Sequence, residues 1–119
     1  MGNFQKLKVW QLANNLAVKI YKLTKSQYYS LDYGLKDQIQ RAAVSISANI
    51  SEGDELGTNK QSVRHFYIAK GSVAELQTLL IISHEIEYID LQTKDNLENE
   101  CNVISIMLRK LIKVRSLAT

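Results

Sequence analysis

Apolar residues recur three or four positions apart in four segments of the chain, which is the spacing of an amphipathic helix. This spacing predicts helices over about residues 6–24, 35–52 and 59–89, and a fourth helix that begins with Thr93 as its cap. The predicted core stripe of the fourth helix consists of Leu97, Cys101, Ile104, Leu108, Leu111 and, at its end, Val114. The polar segment between the first two helices carries several turn formers and predicts a loop.

Four helices with short links pack most simply as an antiparallel up-down-up-down bundle, because this arrangement buries all four apolar stripes at once. The chain contains no proline and five glycines among its 119 residues, which disfavours a β-sandwich with its many turns. Neither an internal repeat nor a low-complexity segment divides the sequence. We therefore predict an all-α fold in which residues 1–119 form a single domain.

The second predicted helix contains an unusual run of small residues, "RAAVSISANISEG", over residues 41–53. Serine lowers helix propensity, so the run indicates a neighbouring helix that packs closely. Asn49 lies on the apolar face of this helix, and Gly53 is the expected C′ residue that ends it.

Antiparallel pairing about a loop at residues 53–60 places Ala42 opposite a cluster of small residues around Gly71. Glycine in the middle of a helix costs about 1 kcal/mol relative to alanine. Gly71 therefore predicts a close contact between the second and third helices, with backbone exposed to a ligand as the alternative. The same alignment predicts a buried or half-buried ion pair between Arg41 and Glu75.

The third predicted helix has an apolar surface broader than one stripe, because Leu79, Ile81 and Ile82 extend it around the helix. Such a surface indicates contact on two sides. We therefore predict that the protein is a homo-oligomer.

Residues able to perform acid–base, nucleophilic or metal chemistry do not converge in the predicted bundle. Neither histidine, His65 or His84, follows a glutamate by three residues, as the ligands of di-metal bundles do. Cys101 occupies a core position, where a thiol is normally inert. Three carboxylates share a loop with His65, where such residues are usually solvated: Glu52, Asp54 and Glu55. We expect no enzymatic activity, no metal and no cofactor.

The sequence also bears on the compartment. A single cysteine cannot form an internal disulfide, which fits a reducing cytoplasm. The N-terminus has no apolar run of signal-peptide length, and the longest apolar run, "LLII" at residues 79–82, is far too short to span a bilayer. We expect a cytoplasmic protein that has no contact with a membrane.

Charged residues are distributed unevenly between the two ends of the predicted bundle. One end, here called the basic end, carries eight basic residues against the three carboxylates Glu52, Asp54 and Glu55. These eight are Lys6, Lys8, Lys60, Arg64, Arg109, Lys110, Lys113 and Arg115. The other end, the acidic end, carries five lysines against eight carboxylates. The lysines of the acidic end are Lys19, Lys22, Lys25, Lys36 and Lys94.

Three tyrosines, Tyr28, Tyr29 and Tyr33, lie in the loop between the first two predicted helices. Tyrosine rings can stack on nucleic-acid bases or contact another subunit. Packing against the end of the bundle is the alternative that we favour.

The chain resembles the 23S rRNA-intervening sequence protein family over nearly its whole length. The most specific segments are "QIQRAAVSISANISEG" at residues 38–53 and "IAKGSVAEL" at residues 68–76. The resemblance implies a left-handed four-helix bundle that assembles as a homo-pentamer. It also implies a distant similarity to the accessory variability determinant of diversity-generating retroelements, which binds nucleic acid and a reverse transcriptase. It implies no enzymatic activity.

A ring of bundles would repeat the basic end and concentrate a positive potential that attracts phosphate. We predict that the basic end binds RNA or DNA. Two alternatives remain at this point. Lysine and arginine near a helix C-terminus can simply stabilise the helix dipole, and the protein can be a scaffold that binds another protein, such as a reverse transcriptase.

Overall fold

The computed structural model describes residues 3–56 and 58–117. A 3₁₀ turn, Phe4–Lys6, precedes five α-helices: α1 Lys8–Leu23, α2 Gln27–Ser30, α3 Tyr33–Glu55, α4 Asn59–Glu85 and α5 Leu91–Leu117. No strand occurs in either described range. The all-α prediction is confirmed, and each of the four periodic segments forms one of the long helices. The predicted 53–60 loop includes Gly57, which lies outside the described residues.

Apolar residues from all four long helices form one hydrophobic core. The stripe of α5 is confirmed at Leu97, Cys101, Ile104 and Leu108. At its end, however, Ile112 is buried while Val114 is 63% exposed, so the predicted place of Val114 in the core is wrong. The reason is that the stripe keeps the spacing of four between Leu108 and Ile112, whereas Val114 falls on the opposite side of the helix.

The broad apolar surface predicted on α4 divides into two parts. Leu79 is buried in the core of its own chain, so it is not available to a second subunit. Ile81 and Ile82 are about 40% exposed, and Ile86 adds a further exposed apolar side chain just after the helix.

Helix boundaries differ from the predicted ones at three places. Gly53 does not end the second long helix, because α3 continues to Glu55 and no described glycine has a positive φ. α4 ends at Glu85, earlier than expected, and Glu87 takes a left-handed φ of 68° in the turn that follows. The cap of α5 is Asp90, which accepts a hydrogen bond from the backbone N–H of Thr93 at 2.8 Å. Hydrogen bonds from Thr93 hold the pKa of Asp90 below its ordinary value.

The connection predicted as a loop contains the short helix α2, which seals the acidic end of the core. Tyr29 of α2 is fully buried, and its ring meets Tyr88 edge-on at 5.2 Å. Tyr28 stacks on Tyr88 at 5.6 Å, whereas Tyr33 is exposed. Packing against the bundle end is therefore confirmed for Tyr29. Asp32 caps α3 by accepting from the N–H of Leu35, and its other carboxylate oxygen accepts from the Tyr88 hydroxyl at 2.9 Å.

The small residues of α3 do pack closely against α4, as predicted. The hydroxyl groups of Ser45 and Ser72 lie 2.8 Å apart across the interface. The amide nitrogen of Asn49 donates to Ser45, and Asn49 Oδ1 lies 3.0 Å from His65 Nδ1. The Ser51 hydroxyl donates a hydrogen bond to a backbone carbonyl of its own helix. Each hydroxyl thus finds a partner, which is why a serine-rich helix is tolerated in a half-buried interface.

The predicted close contact at Gly71 is wrong. A Cβ built on Gly71 would meet nothing within 4 Å, and the residue is exposed. The glycine at the close contact between α3 and α4 is Gly53. A Cβ added there would lie 2.7 Å from Phe66 Cε1 and 3.1 Å from His65 Cβ. The close approach of α3 and α4 is therefore real, but it is centred on other residues.

The predicted ion pair between Arg41 and Glu75 is also wrong. Arg41 Nε lies 2.8 Å from Asp37 Oδ2, one turn earlier in the same helix, and both side chains are largely exposed. Glu75 is exposed on α4. This i,i+4 pair contributes little to stability, since ion pairs in water are worth well under about 1 kcal/mol.

A candidate nucleic-acid interface at the basic end

Three parts of the chain meet at the basic end: the start of α1, the link between α3 and α4, and the end of α5. Arg115 Nη2 lies 2.6 Å from Asp54 Oδ1, which joins the end of α5 to the end of α3. Ser62 donates to the carbonyl of Gly53 at 2.5 Å, which holds the start of α4 against the last turn of α3. Lys8 of α1 and Lys110 of α5 line one groove. The sequence prediction that these segments share an end agrees with these contacts.

Seven of the eight predicted phosphate-contacting residues have exposed side chains on the structure, namely Lys6, Lys8, Lys60, Arg64, Arg109, Lys110 and Lys113. None of the seven takes part in the ion pairs found within residues 3–56 and 58–117. Their charges therefore face solvent without a carboxylate partner there. A surface of this kind attracts anions.

Arg115 behaves differently from the other seven. Its guanidinium packs over the Phe66 ring at 5.5 Å and pairs with Asp54, whose side chain is only 4% exposed. The charge of Arg115 is thus engaged inside the protein, although its side chain remains 24% exposed. Asp54 Oδ2 is buried without a hydrogen-bond partner in the described chain, so the guanidinium is the main compensation for this carboxylate.

Asp54 is buried, whereas the sequence predicted a solvated loop residue at this position. A signal for its burial was present, because Ile46, Ile50 and Asp54 follow one another at intervals of four and continue the apolar stripe of α3. With Asp54 buried and paired, the exposed carboxylates of the basic end are Glu52 and Glu55. Of these, Glu52 lies 3.7 Å from His65 Nδ1.

The acidic end differs in that some of its lysines are paired. Lys19 lies 2.9 Å from Glu100, and Lys94 contacts both Asp95 and Glu98. The longest dimension of the structure is 46 Å. Because charges are screened over about 8 Å at physiological salt, carboxylates of the acidic end do not neutralise the basic end.

Two side chains, Cys101 and Tyr88, have raised pKa values. Burial raises the pKa of the Cys101 thiol to about 12, so the side chain stays protonated at neutral pH. The pKa of Tyr88 is raised mainly by the hydrogen bond from its hydroxyl to Asp32. No group of three or more metal-ligating side chains that could hold an ion occurs in the described ranges. No helix there is long and apolar enough to cross a membrane.

Comparisons with known proteins identify a protein family and a similar solved structure. The family model of the 23S rRNA-intervening sequence protein matches residues 5–110. A crystal structure from Bacteroides thetaiotaomicron, described as a protein of unknown function from the S23 ribosomal protein family, has a TM-score of 0.81 and 25% sequence identity to the chain. The match covers 88% of this chain and 98% of that one. A search of curated proteins gives no match.

Proposed function

The chain belongs to the 23S rRNA-intervening sequence protein family, and from that premise we propose that it is a non-enzymatic, oligomeric four-helix-bundle protein that binds RNA or DNA through the basic end. The observation that carries the proposal is the set of seven exposed lysine and arginine side chains without carboxylate partners among the described residues. The contacts would be to phosphates and would have little sequence preference. We propose a cytoplasmic location for this activity.

The helix dipole alone does not account for these charges. Cations stabilise a helix C-terminus mainly within its last turn. α5 ends at Leu117, so Arg109 and Lys110 lie about two turns before that end. Lys60 lies in the first turn of α4, where the dipole disfavours a positive charge, and Arg64 lies in the second turn, where the dipole has little effect. Their presence favours a role in binding an anion.

We propose that the four long helices run up-down-up-down in a left-handed bundle and that several copies form a ring. Two hydrogen bonds between α3 and α4 support the antiparallel order. Ser45 pairs with Ser72, whereas Asn49, which is later in α3, pairs with His65, which is earlier in α4. The exposed Ile81 and Ile82 support contact with a second copy. In a ring with its axis along the bundle, the basic ends would lie side by side and reinforce one another.

The assembly has a direct test. We expect static light scattering on the purified protein at micromolar concentration to give a mass several times that of one chain, with five copies as the value that the family resemblance implies. A monomeric mass would contradict the ring and remove much of its contribution to the electrostatic field.

Nucleic-acid binding is expected to weaken steeply as salt is raised. The logarithm of the association constant should fall linearly with the logarithm of salt concentration, with a slope of about 0.7 to 0.9 per phosphate neutralised. Replacing Arg109, Lys110 and Lys113 with glutamine should lower affinity for all sequences and reduce the slope by about 2 for each protomer in contact. Fluorescence anisotropy of labelled single-stranded and double-stranded oligonucleotides measures both quantities.

The matched control replaces Lys22, Lys25 and Lys36 of the acidic end with glutamine, which changes net charge by the same amount. This variant should retain nearly the wild-type slope. If the two triple variants behave alike, the effect is one of net charge and the basic end is not the interface. If the wild type does not bind at low salt, the proposed function is wrong.

A further inference from the structure

Two apolar hollows lie between α1 and α5, with volumes of about 200 and 280 Å³. Val103 of one and Met107 of the other are one helical turn apart on α5, so the two hollows are treated together as one groove. The first is lined by Leu12, Asn99, Glu100 and Val103, and the second by Leu7, Lys8, Val9, Met107, Lys110, Leu111 and Val114. The α5 residues lie on successive turns from 99 to 114, a distance of about 22 Å at 1.5 Å per residue. This length accommodates roughly four turns of another helix.

The lining residues show why the groove is a candidate binding surface. Leu7, Met107 and Leu111 form a floor that rests on the core while remaining partly accessible. Val103 is 48% exposed and Val114 is 63% exposed, so the groove keeps apolar surface that the chain itself does not cover. Methionine adapts to partners of different shape, as in other grooves that receive an amphipathic helix.

The charges around the groove restrict the class of partner. Lys8 and Lys110 line its basic end and have no ion-pair partner among the described residues. Glu100, at the other end, is already paired with Lys19 at 2.9 Å. The uncompensated charge is therefore positive and complements carboxylates. Nucleic acid fits the lining poorly, because it is mostly aliphatic and no aromatic side chain of the described chain lines it for base stacking.

We propose that the α1–α5 groove binds one amphipathic α-helix of a partner protein, with the apolar stripe of that helix in the groove and its acidic residues facing Lys8 and Lys110. The partner helix would carry apolar residues at i, i+4, i+7 and i+11. This activity goes beyond phosphate binding, since it requires the valines of the groove, which do not contact phosphate.

The test uses a labelled synthetic peptide of about four helical turns, with leucine at those four positions and glutamate on the flanks. A second peptide, identical except for lysine in place of glutamate, is the matched control. In fluorescence anisotropy the acidic peptide should bind the full-length protein more tightly than the basic peptide. Lys110→Glu should reverse this preference.

The apolar part of the proposal is tested by protein variants. Val103→Ser combined with Val114→Ser should weaken binding of the acidic peptide by about tenfold or more, because two buried valine side chains are lost from the complex. Both residues are exposed in the free protein, so circular dichroism should show unchanged helicity. Val44→Ser, at a similarly exposed position on α3, should bind the peptide as the wild type does. The double variant should still bind oligonucleotides, which separates this interface from the proposed function.

Three results would overturn the proposal. The first is that neither peptide shows saturable binding, and the second is that Val44→Ser weakens binding as much as the double variant does. The third is that light scattering gives the double variant a smaller assembly mass than the wild type. The groove would then be a contact between copies of this chain.

Discussion

Replacing Arg115 with methionine is expected to lower the free energy of unfolding by about 2 to 3 kcal/mol, which is the largest effect of a single polar substitution that the structure indicates. The substitution leaves the Asp54 carboxylate buried without its cation and also removes the guanidinium from the face of Phe66. We place the value at the lower side of the range for a buried pair because Arg115 is one-quarter exposed. Urea denaturation followed by circular dichroism measures it.

A double-mutant cycle separates the ion pair from the loss of packing. Asp54→Ala together with Arg115→Met should be more stable than Arg115→Met alone, since the uncompensated charge is then absent. Lys113→Met, a nearby exposed cation on α5, is the control and should change stability by less than about 0.5 kcal/mol. Equal losses for the Arg115 and Lys113 variants would show that Asp54 does not depend on Arg115.

Replacing Gly53 with alanine is expected to destabilise the fold by about 1 to 3 kcal/mol, although alanine favours helix. The new Cβ would lie 2.7 Å from Phe66 Cε1, and the Phe66 ring is fully buried beneath Arg115. It would also lie 3.1 Å from His65 Cβ, an atom that moves only with the backbone of α4. The helices must therefore separate slightly or the ring must leave its position.

Gly71→Ala provides the matched control for this prediction. A Cβ at Gly71 would meet nothing within 4 Å, so only the helix propensity changes, and stability should rise by up to about 1 kcal/mol. Melting temperatures of the two variants should thus move in opposite directions. If Gly53→Ala also gains stability, the contact between Gly53 and Phe66 is not rigid.

The contrast between these two glycines shows what periodicity could predict. Pairing two helices about a short link gives the level of a residue along the bundle, and on that basis Gly71 was assigned to the α3 interface. The angle around the helix is a separate quantity. Gly71 is two residues from Ala69 and from Val73, both buried, and two residues correspond to a rotation of about 200°, which turns Gly71 toward solvent.

The error at Arg41 and Glu75 has a similar physical origin. A long charged side chain on the solvent face finds a partner one turn away on its own helix more readily than one on a neighbouring helix. Arg41 accordingly pairs with Asp37. The core stripes were predictable because burial of apolar area dominates the energetics and repeats along each helix. Helix ends depend on single turns, as at Gly53 and Asp90, and were predicted less well.

The basic end could be predicted as a group but not residue by residue. Opposite net charges at the two ends follow from the order of residues along four helices, and the contact of Arg115 with Asp54 agrees with that placement. Arg115 is the cation that pairs inside the protein because its partner, Asp54, is buried. A count of charges at each end does not show which carboxylate is buried. Arg115 therefore holds the basic end together, whereas the other seven cations are available to a ligand.

The polar contacts between α3 and α4 have a consequence for histidine chemistry and helix register. Ser72 donates to the Ile68 carbonyl, so Ser45 is the donor to Ser72, and the Asn49 amide nitrogen donates to Ser45. This leaves the Asn49 oxygen facing His65, which fixes the neutral imidazole as the tautomer with its proton on Nδ1. A slip of one turn between the helices would break the two bonds that cross the interface, Ser45–Ser72 and Asn49–His65. Protonation at Nε2 would break none of them.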